Sequence, residues 1–100
     1  MKTGIEIIAI ERERQIKELG FDYTNDSLYA EQQLAKAAAI YALPTDLREL
    51  WWGNSWVSII NRFWPWDLKY WKPTPENRIK ELAKAGALIA AQIDYIINKK

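Results

Sequence analysis

The four prolines of this chain fall at positions 44, 65, 73 and 75, and they limit where long helices can form. A proline inside an α-helix removes a backbone hydrogen bond and clashes with the preceding turn. Long helices are therefore expected only before Pro44 and from Pro75 onward, since proline is tolerated in the first turn of a helix. The pattern predicts an all-α fold, a compact bundle of three long helices with one or two short helices in a tryptophan-rich connector.

Local signals place the helices and the connector in a single domain. The predicted helices cover about 3–19, 27–43 and 74–98, and the Trp-rich connector covers 45–73, within one domain at 1–100. Thr3 and Glu6 have the spacing of a capping box, and Gly20 provides a stop. The second helix is expected to end before Pro44, and Thr74 is expected to cap the last one.

The connector itself shows weaker signals for short helices. Asp46 and Glu49 have the spacing of a second capping box and predict a helix over 45–52, which Gly53 is expected to end. The segment 56–63 fits either a short helix or an extended strand, and the helix is favoured.

The last helix carries two stripes at helical spacing. One follows a heptad pattern through Ile79, Leu82, Gly86, Ile89, Ile93 and Ile96. The other consists of small residues, Ala83, Ala87 and Ala91, where another helix can approach closely. Packing of this small-residue stripe on another subunit is the main reason to expect a homo-oligomer.

Arg12 interrupts the apolar side of the first helix. That side is formed by Ile5, Ile8, Ile16 and Leu19. An unpaired arginine buried there would be costly. Glu31 lies on the matching side of the second helix, so an Arg12–Glu31 ion pair that fixes the register of the two helices is predicted. The alternative is that Arg12 lines a pocket and binds an anion.

All six tryptophans lie between positions 51 and 71. They can form the core beneath an irregular segment, because a tryptophan buries a large apolar area. They can also form a platform that stacks on bases or on a partner protein. For stacking, the candidates are Trp64, Trp66 and Trp71. The candidates for holding phosphate groups are Lys72, Arg78 and Arg12, because cations form charge-assisted hydrogen bonds with phosphate.

Composition excludes several classes of function. The chain has no histidine and no cysteine, which removes the Ser-His-Asp triad, thiolate nucleophiles and most zinc sites. Its carboxylates are scattered, so neither a metal site nor another cofactor is expected, and the protein is predicted not to be an enzyme. A net charge of +1 offers no general attraction to DNA. No membrane span or signal peptide is apparent, so the expected location is the cytoplasm.

Several segments of the chain occur together in one group of proteins. They are Glu11-Arg12-Glu13-Arg14-Gln15, Leu34 to Ala42, Trp64-Pro65-Trp66-Asp67, Trp71-Lys72-Pro73 and Lys84-Ala85-Gly86-Ala87-Leu88-Ile89. In these segments the chain resembles a widespread family of small phage and prophage proteins. The resemblance implies a viral origin and a host cell cytoplasm as the place of action.

The chain also departs from the pattern of that family. The pattern often has a histidine and a glutamate at the start of the second helix and a glutamate late in the last one. This chain has Tyr29, Gln33 and Gln92 at those places. If relatives hold a metal with those groups, this chain is not expected to do so.

Together these features predict a small phage-encoded binding protein that antagonises host defence by sequestering a nucleotide-type immune signal. One alternative is an inhibitor that docks on a host defence enzyme through its Trp-rich surface. A second is a minimal metal-dependent nucleotide hydrolase. The expected partners are thus a small nucleotide ligand or a host defence protein, with further copies of the chain itself.

Overall fold

The computed structural model describes residues 1–19 and 32–98. This part of the chain is mostly helical and includes one two-stranded sheet. The helices are α1 (Gly4–Leu19), α2 (Gln33–Ala42), α3 (Ile59–Phe63) and α4 (Arg78–Asn98), and the strands are β1 (Glu49–Trp52) and β2 (Ser55–Ser58). Helical content is as predicted. The all-α bundle of three long helices is wrong, because a β-hairpin occupies part of the connector.

The first helix starts where the capping box predicts. The Thr3 backbone N–H donates to Glu6 Oε1 at 3.1 Å, and the Glu6 N–H donates to Thr3 Oγ1 at 3.3 Å. These two bonds satisfy backbone donors that have no partner within the helix. α1 therefore begins at Gly4, within one residue of the predicted start.

The second helix begins later than the sequence predicts. Gln32 has a φ of 60°, which is left-handed and interrupts a regular helix at that position. α2 accordingly starts at Gln33 rather than near residue 27, and the predicted segment at 27–31 lies outside the described residues. Its other end is as predicted, since Leu43 has extended geometry before Pro44.

The connector forms a hairpin where a helix was predicted over 45–52. Only Thr45–Leu47 is helical, as a 3-10 turn, and β1 follows directly. Gly53 has a φ of 61° in the two-residue turn, a conformation that glycine adopts without strain. Trp51 faces Trp56 in the register of the two strands, and aromatic residues favour such cross-strand pairs. The prediction for 56–63 is half right, because β2 ends at Ser58 and α3 begins at Ile59.

The last helix begins four residues after the predicted cap at Thr74. Asn77 is the residue that caps it, because Asn77 Oδ1 accepts a hydrogen bond from the Lys80 N–H at 3.2 Å. The Thr74 N–H instead donates to Glu81 Oε2 at 3.0 Å. A short 3-10 turn at Leu68–Tyr70 lies between α3 and this start.

The core lies mainly between α2 and α4, which run antiparallel. Ala35 near the start of α2 donates its N–H to Gln92 Oε1, and Arg78 at the start of α4 reaches the carbonyls that end α2. The buried cluster consists of Leu34, Ala37, Ala38, Tyr41, Ala85, Leu88, Ala91 and Tyr95. Because half of these residues are alanines, the two helices approach closely.

The small-residue stripe of α4 is therefore used inside the protomer. Ala83, Ala87 and Ala91 are all buried. The prediction that they pack on another subunit is wrong. None of the helices in 1–19 and 32–98 is both long and apolar enough to cross a lipid bilayer.

A buried ion pair ties the connector to the helices. Arg48 NH1 lies 3.2 Å from Glu81 Oε2, and the two residues are 5% and 0% exposed. Glu81 also accepts from Arg78 and from the Thr74 backbone. Burial raises the pKa of the Glu81 carboxyl, but these hydrogen bonds outweigh it, so the pKa lies below its ordinary value.

Candidate ligand-binding cleft

A cleft of about 840 Å³ is lined by α1, the end of α2, the segment at 64–72 and one side of α4. Clefts of this size hold small organic ligands in many proteins. Its aromatic lining consists of Tyr41, Trp64, Trp66 and Tyr70. The remaining lining is largely charged, so the cleft combines flat apolar faces with cations.

Pro65 follows the end of α3, and the tryptophans on either side of it, Trp64 and Trp66, line the cleft. Trp64 has extended geometry immediately before this proline. Its indole N–H donates to the Asp67 carbonyl at 3.1 Å, and its ring meets the Trp66 ring edge to face with centroids 5.5 Å apart. Both rings are half-buried and pack on the α2–α4 core. The core therefore holds two indoles in place while leaving part of each accessible.

Tyr41 joins the aromatic lining from α2. Its ring lies 5.7 Å from the Trp64 ring, and its hydroxyl oxygen accepts a hydrogen bond from the Lys72 N–H at 3.1 Å. Burial raises the pKa of the Tyr41 hydroxyl, so this group is neutral in the physiological range. Lys84 Nζ lies 5.4 Å from the centre of the same ring, which is within cation–π distance.

Three lysines supply positive charge to the cleft. Lys80 and Lys84 lie one turn apart on α4, and Lys84 Nζ donates to the Lys72 carbonyl at 2.9 Å. Burial, and after it the charge of Lys80, lowers the pKa of Lys84. None of the ion pairs between described residues involves Lys72, Lys80 or Lys84. Their charge is therefore available to an anionic ligand.

On α1, the residues that line the cleft form a small polar network. Arg14 Nε and NH2 donate to the two oxygens of Glu11 at 2.8 and 2.7 Å, and NH1 donates to Glu18. These hydrogen bonds, the one to Glu11 foremost, raise the pKa of Arg14 against the opposing effect of burial. Arg14 thus neutralises Glu11 rather than adding free charge.

Gln15 is the most buried polar residue of the lining. It is 2% exposed, and its Nε2 points to Glu11 Oε2 at 3.4 Å. Its other amide atom, Oε1, is buried and has no hydrogen-bond partner in the described structure. An unsatisfied buried acceptor is costly, and this oxygen retains the capacity to accept one hydrogen bond.

The structure brings three of the six predicted site residues together. Trp64, Trp66 and Lys72 all line the cleft. Trp71 lies behind this lining, with its ring 4.7 Å from that of Tyr41 and 5.2 Å from the Arg48 guanidinium carbon. Trp71 therefore supports the Tyr41 ring rather than facing the cleft.

The two predicted arginines lie elsewhere. Arg78 donates to the carbonyls of Tyr41 and Leu43 at 3.0 and 3.1 Å, and to that of Ala42, so it caps the C-terminal end of α2. Arg12 is buried on α1, and its NH2 group lies 3.1 Å from Asp94 Oδ2 on α4. Its predicted partner Glu31 lies outside the described residues, so that pair stays a prediction.

Reasoning from the sequence missed much of the cleft lining. The missed residues that matter most are Gln15, Tyr41, Tyr70, Lys80 and Lys84. The sequence did contain one signal for the two lysines. Lys80, Lys84 and Leu88 recur every four residues and therefore share a side of α4. Tyr41 gave no such signal, since its hydroxyl meets Lys72 only after the connector folds back.

A second aromatic surface lies on the β-hairpin, away from the cleft lining. The side chains of Trp51 and Trp56 are 58% and 67% exposed. Their rings meet edge to face with centroids 5.5 Å apart. Two large indoles exposed side by side are unusual on a free surface and are typical of residues that anchor protein interfaces.

Within the described residues, no three acidic side chains come close enough to form a metal site. Comparison with models of protein families, with curated proteins and with solved structures finds no match to this chain. The cleft and the hairpin are therefore the features of this chain from which a function is inferred.

Proposed function

We propose that this protein binds a nucleotide-class ligand in the cleft and holds it without converting it. The observation that supports this proposal is the side-by-side arrangement of accessible indole rings and lysines without carboxylate partners. Trp64 and Trp66 offer faces on which a base stacks, and Lys72, Lys80 and Lys84 offer donors to phosphate oxygens. A nucleotide has both a base that stacks on aromatic rings and phosphate groups that bind lysines.

The unpaired oxygen of Gln15 refines the proposed ligand. Its amide nitrogen is directed to Glu11, which leaves Oε1 as an unpaired acceptor on a residue of the cleft lining. A base that carries an exocyclic amino group, such as adenine, provides the matching donor. A base with no donor on that edge would leave Oε1 unsatisfied and would bind more weakly.

Binding without turnover is supported by the composition of the chain. The chain has no histidine or cysteine to act as general base or nucleophile. Combined with the resemblance to small phage proteins, this extends the proposal to sequestration of a nucleotide-type immune signal of the host. A binding protein serves that purpose if its ligand is released slowly.

Calorimetric titration with ATP and with purine riboside triphosphate, which lacks the amino group, tests the proposed site. Wild type is expected to prefer ATP by about tenfold, the size of one hydrogen bond in a buried site. Gln15→Leu is expected to remove this preference. Lys80→Gln is expected to weaken the binding of both ligands by about tenfold. Lys36→Gln, an exposed lysine of α2 outside the cleft lining, is the matched control. No binding of either ligand by folded wild type would refute the proposal.

The hairpin supports a second candidate function, docking on a host protein. In this candidate function the protein inhibits a host defence enzyme, and Trp51 and Trp56 form the contact with that enzyme. A pull-down from host extract is expected to recover one protein with wild type and to lose it with Trp51→Ser/Trp56→Ser. Leu68→Ser, which changes an exposed apolar residue elsewhere, is expected to retain it. Equal recovery with all three proteins would rule this candidate out.

A further inference from the structure

The heptad stripe of α4 faces solvent instead of the core of the protomer. Its large members, here named the aliphatic stripe, are Ile79, Leu82, Ile89, Ile93 and Ile96. Each of them is between 45% and 65% exposed. A contiguous row of half-exposed aliphatic side chains is rare on a monomer and marks a surface that another molecule covers.

The aliphatic stripe is continuous across the position of Gly86. Ile8 of α1 fills the space above this glycine, because its Cδ1 lies 2.6 Å from where a β-carbon would stand. Ile5, one turn earlier on α1, is 82% exposed. Ile8 therefore adds an apolar side chain from α1 at the position of Gly86.

We propose that a second copy of this chain covers the aliphatic stripe and forms a two-fold symmetric dimer. The stripe contains no charged residue, so an identical stripe is complementary to it in a two-fold pairing. Its three- and four-residue spacing is the pattern by which two helices pack along their length. These properties distinguish a copy of the chain from an acidic or basic partner, which would require opposite charges around the stripe.

The available area is sufficient for a dimer. If each of the five side chains loses on the order of 100 Å² of contact with water, two paired stripes bury roughly 1,000 Å², where specific interfaces begin. Ile5 and Ile8 add to this area. The interface therefore reaches the lower bound of area for a specific dimer.

Dimerisation would leave the cleft open. Lys80, Lys84 and Leu88 line the cleft, and at 3.6 residues per turn they lie on nearly the opposite side of α4 from the aliphatic stripe. Two clefts would therefore face away from the interface. This inference stands apart from the proposed function, because none of its residues lines the cleft.

Sedimentation equilibrium of the full chain from micromolar to near-millimolar concentration tests the dimer. Wild type is expected to show twice the 11.7 kDa mass of one chain. Ile93→Glu is expected to show half of the wild-type mass, because the charge would be buried in the interface. Ile10→Glu is the matched control, since Ile10 is 49% exposed on another side of α1, and it is expected to stay dimeric.

Circular dichroism of both variants is the control for folding. Both are expected to remain helical, because Ile93 and Ile10 are exposed. The proposal is overturned if wild type shows the mass of one chain over the whole concentration range. A folded Ile93→Glu variant that keeps the wild-type mass would also overturn it.

Discussion

Gly86 of α4 lies so close to Ile8 of α1 that a β-carbon on it would stand 2.6 Å from Ile8 Cδ1 and 2.8 Å from Ile8 Cγ1. Real side chains do not approach so closely. A side chain at position 86 would therefore force Ile8 to shift, and no turn or positive φ is involved. This contact is one of the places where α1 packs on α4.

Replacing Gly86 with alanine is expected to destabilise the protein in spite of the better helix propensity of alanine. Overpacking against Ile8 costs about 1–3 kcal/mol, and the propensity gain offsets about 1 kcal/mol of that. Urea unfolding is expected to show a net loss of about 1 kcal/mol. Gly4→Ala is the control, because nothing lies within 4 Å of its β-carbon position. A Gly86→Ala variant more stable than Gly4→Ala would contradict this contact.

Glu81→Gln is expected to be strongly destabilising. The substitution leaves the guanidinium groups of Arg48 and Arg78 without the carboxylate that both contact. Breaking a buried ion pair by removing one partner costs about 3–5 kcal/mol. Glu13→Gln, which breaks the exposed pair with Lys17, serves as the control and is expected to change stability little. Equal unfolding free energies for the two variants would show that Glu81 does not have the role described.

Stability is expected to fall in acid partly through Glu81. Because its folded-state pKa lies below the ordinary value of 4.5, its contribution is complete above that pH and declines as the pH falls through the folded-state pKa. The lowered pKa values of Glu6 and Glu13 act in the same direction. The difference in unfolding free energy between wild type and Glu81→Gln isolates Glu81, and it is expected to shrink below pH 4.5. A constant difference would refute this assignment.

Affinity of the cleft for ATP is expected to weaken in alkaline solution through Lys84. Burial lowers the pKa of this amine below its ordinary value of 10.5, so Lys84 loses its charge before ordinary lysines do. Binding of phosphate groups should decline as the pH rises through that pKa. Lys84→Gln is expected to remove this part of the pH dependence in calorimetric titrations, whereas Lys72→Gln should retain it. Identical profiles for the two variants would exclude Lys84 as the titrating group.

Tryptophan emission is expected to divide into an exposed and a protected fraction. Trp51 and Trp56 are exposed on the hairpin, whereas Trp71 packs on the core outside the cleft lining. Trp51→Phe/Trp56→Phe is expected to lower the fraction that iodide quenches and to shift emission to shorter wavelength. Trp71→Phe should lower the protected fraction instead. Unchanged quenching in the hairpin variant would mean that these two rings are covered in solution.

Much of the local structure was readable from short-range signals. The capping box at Thr3 and Glu6 acts over three residues, and Pro44 and Pro65 act on their immediate neighbours. These features do not depend on the rest of the fold, and the structure follows them. The hairpin was missed because the sequence 45–52 satisfies a helical pattern, whereas cross-strand contact of Trp51 with Trp56 stabilises strands instead.

The cleft and the direction of each helix face were decided by tertiary structure. Periodicity shows that α4 has an aliphatic side and an alanine side, but both are apolar, and either can face the core. Packing within the protomer buries the alanine side, because small residues let neighbouring helices approach, and this leaves the isoleucines exposed.

The role of Arg78 was also decided by tertiary structure. The sequence placed it beside the tryptophans as a phosphate ligand, yet the end of α2 lies within its reach and takes its donors. Lys80 and Lys84 line the cleft instead. The sequence by itself thus determined the cap of α1, the end of α2 before Pro44 and the positions of the aromatic and charged residues. Only the packing of distant segments decided which of them meet, because that outcome is set by close contact between surfaces and not by spacing along the chain.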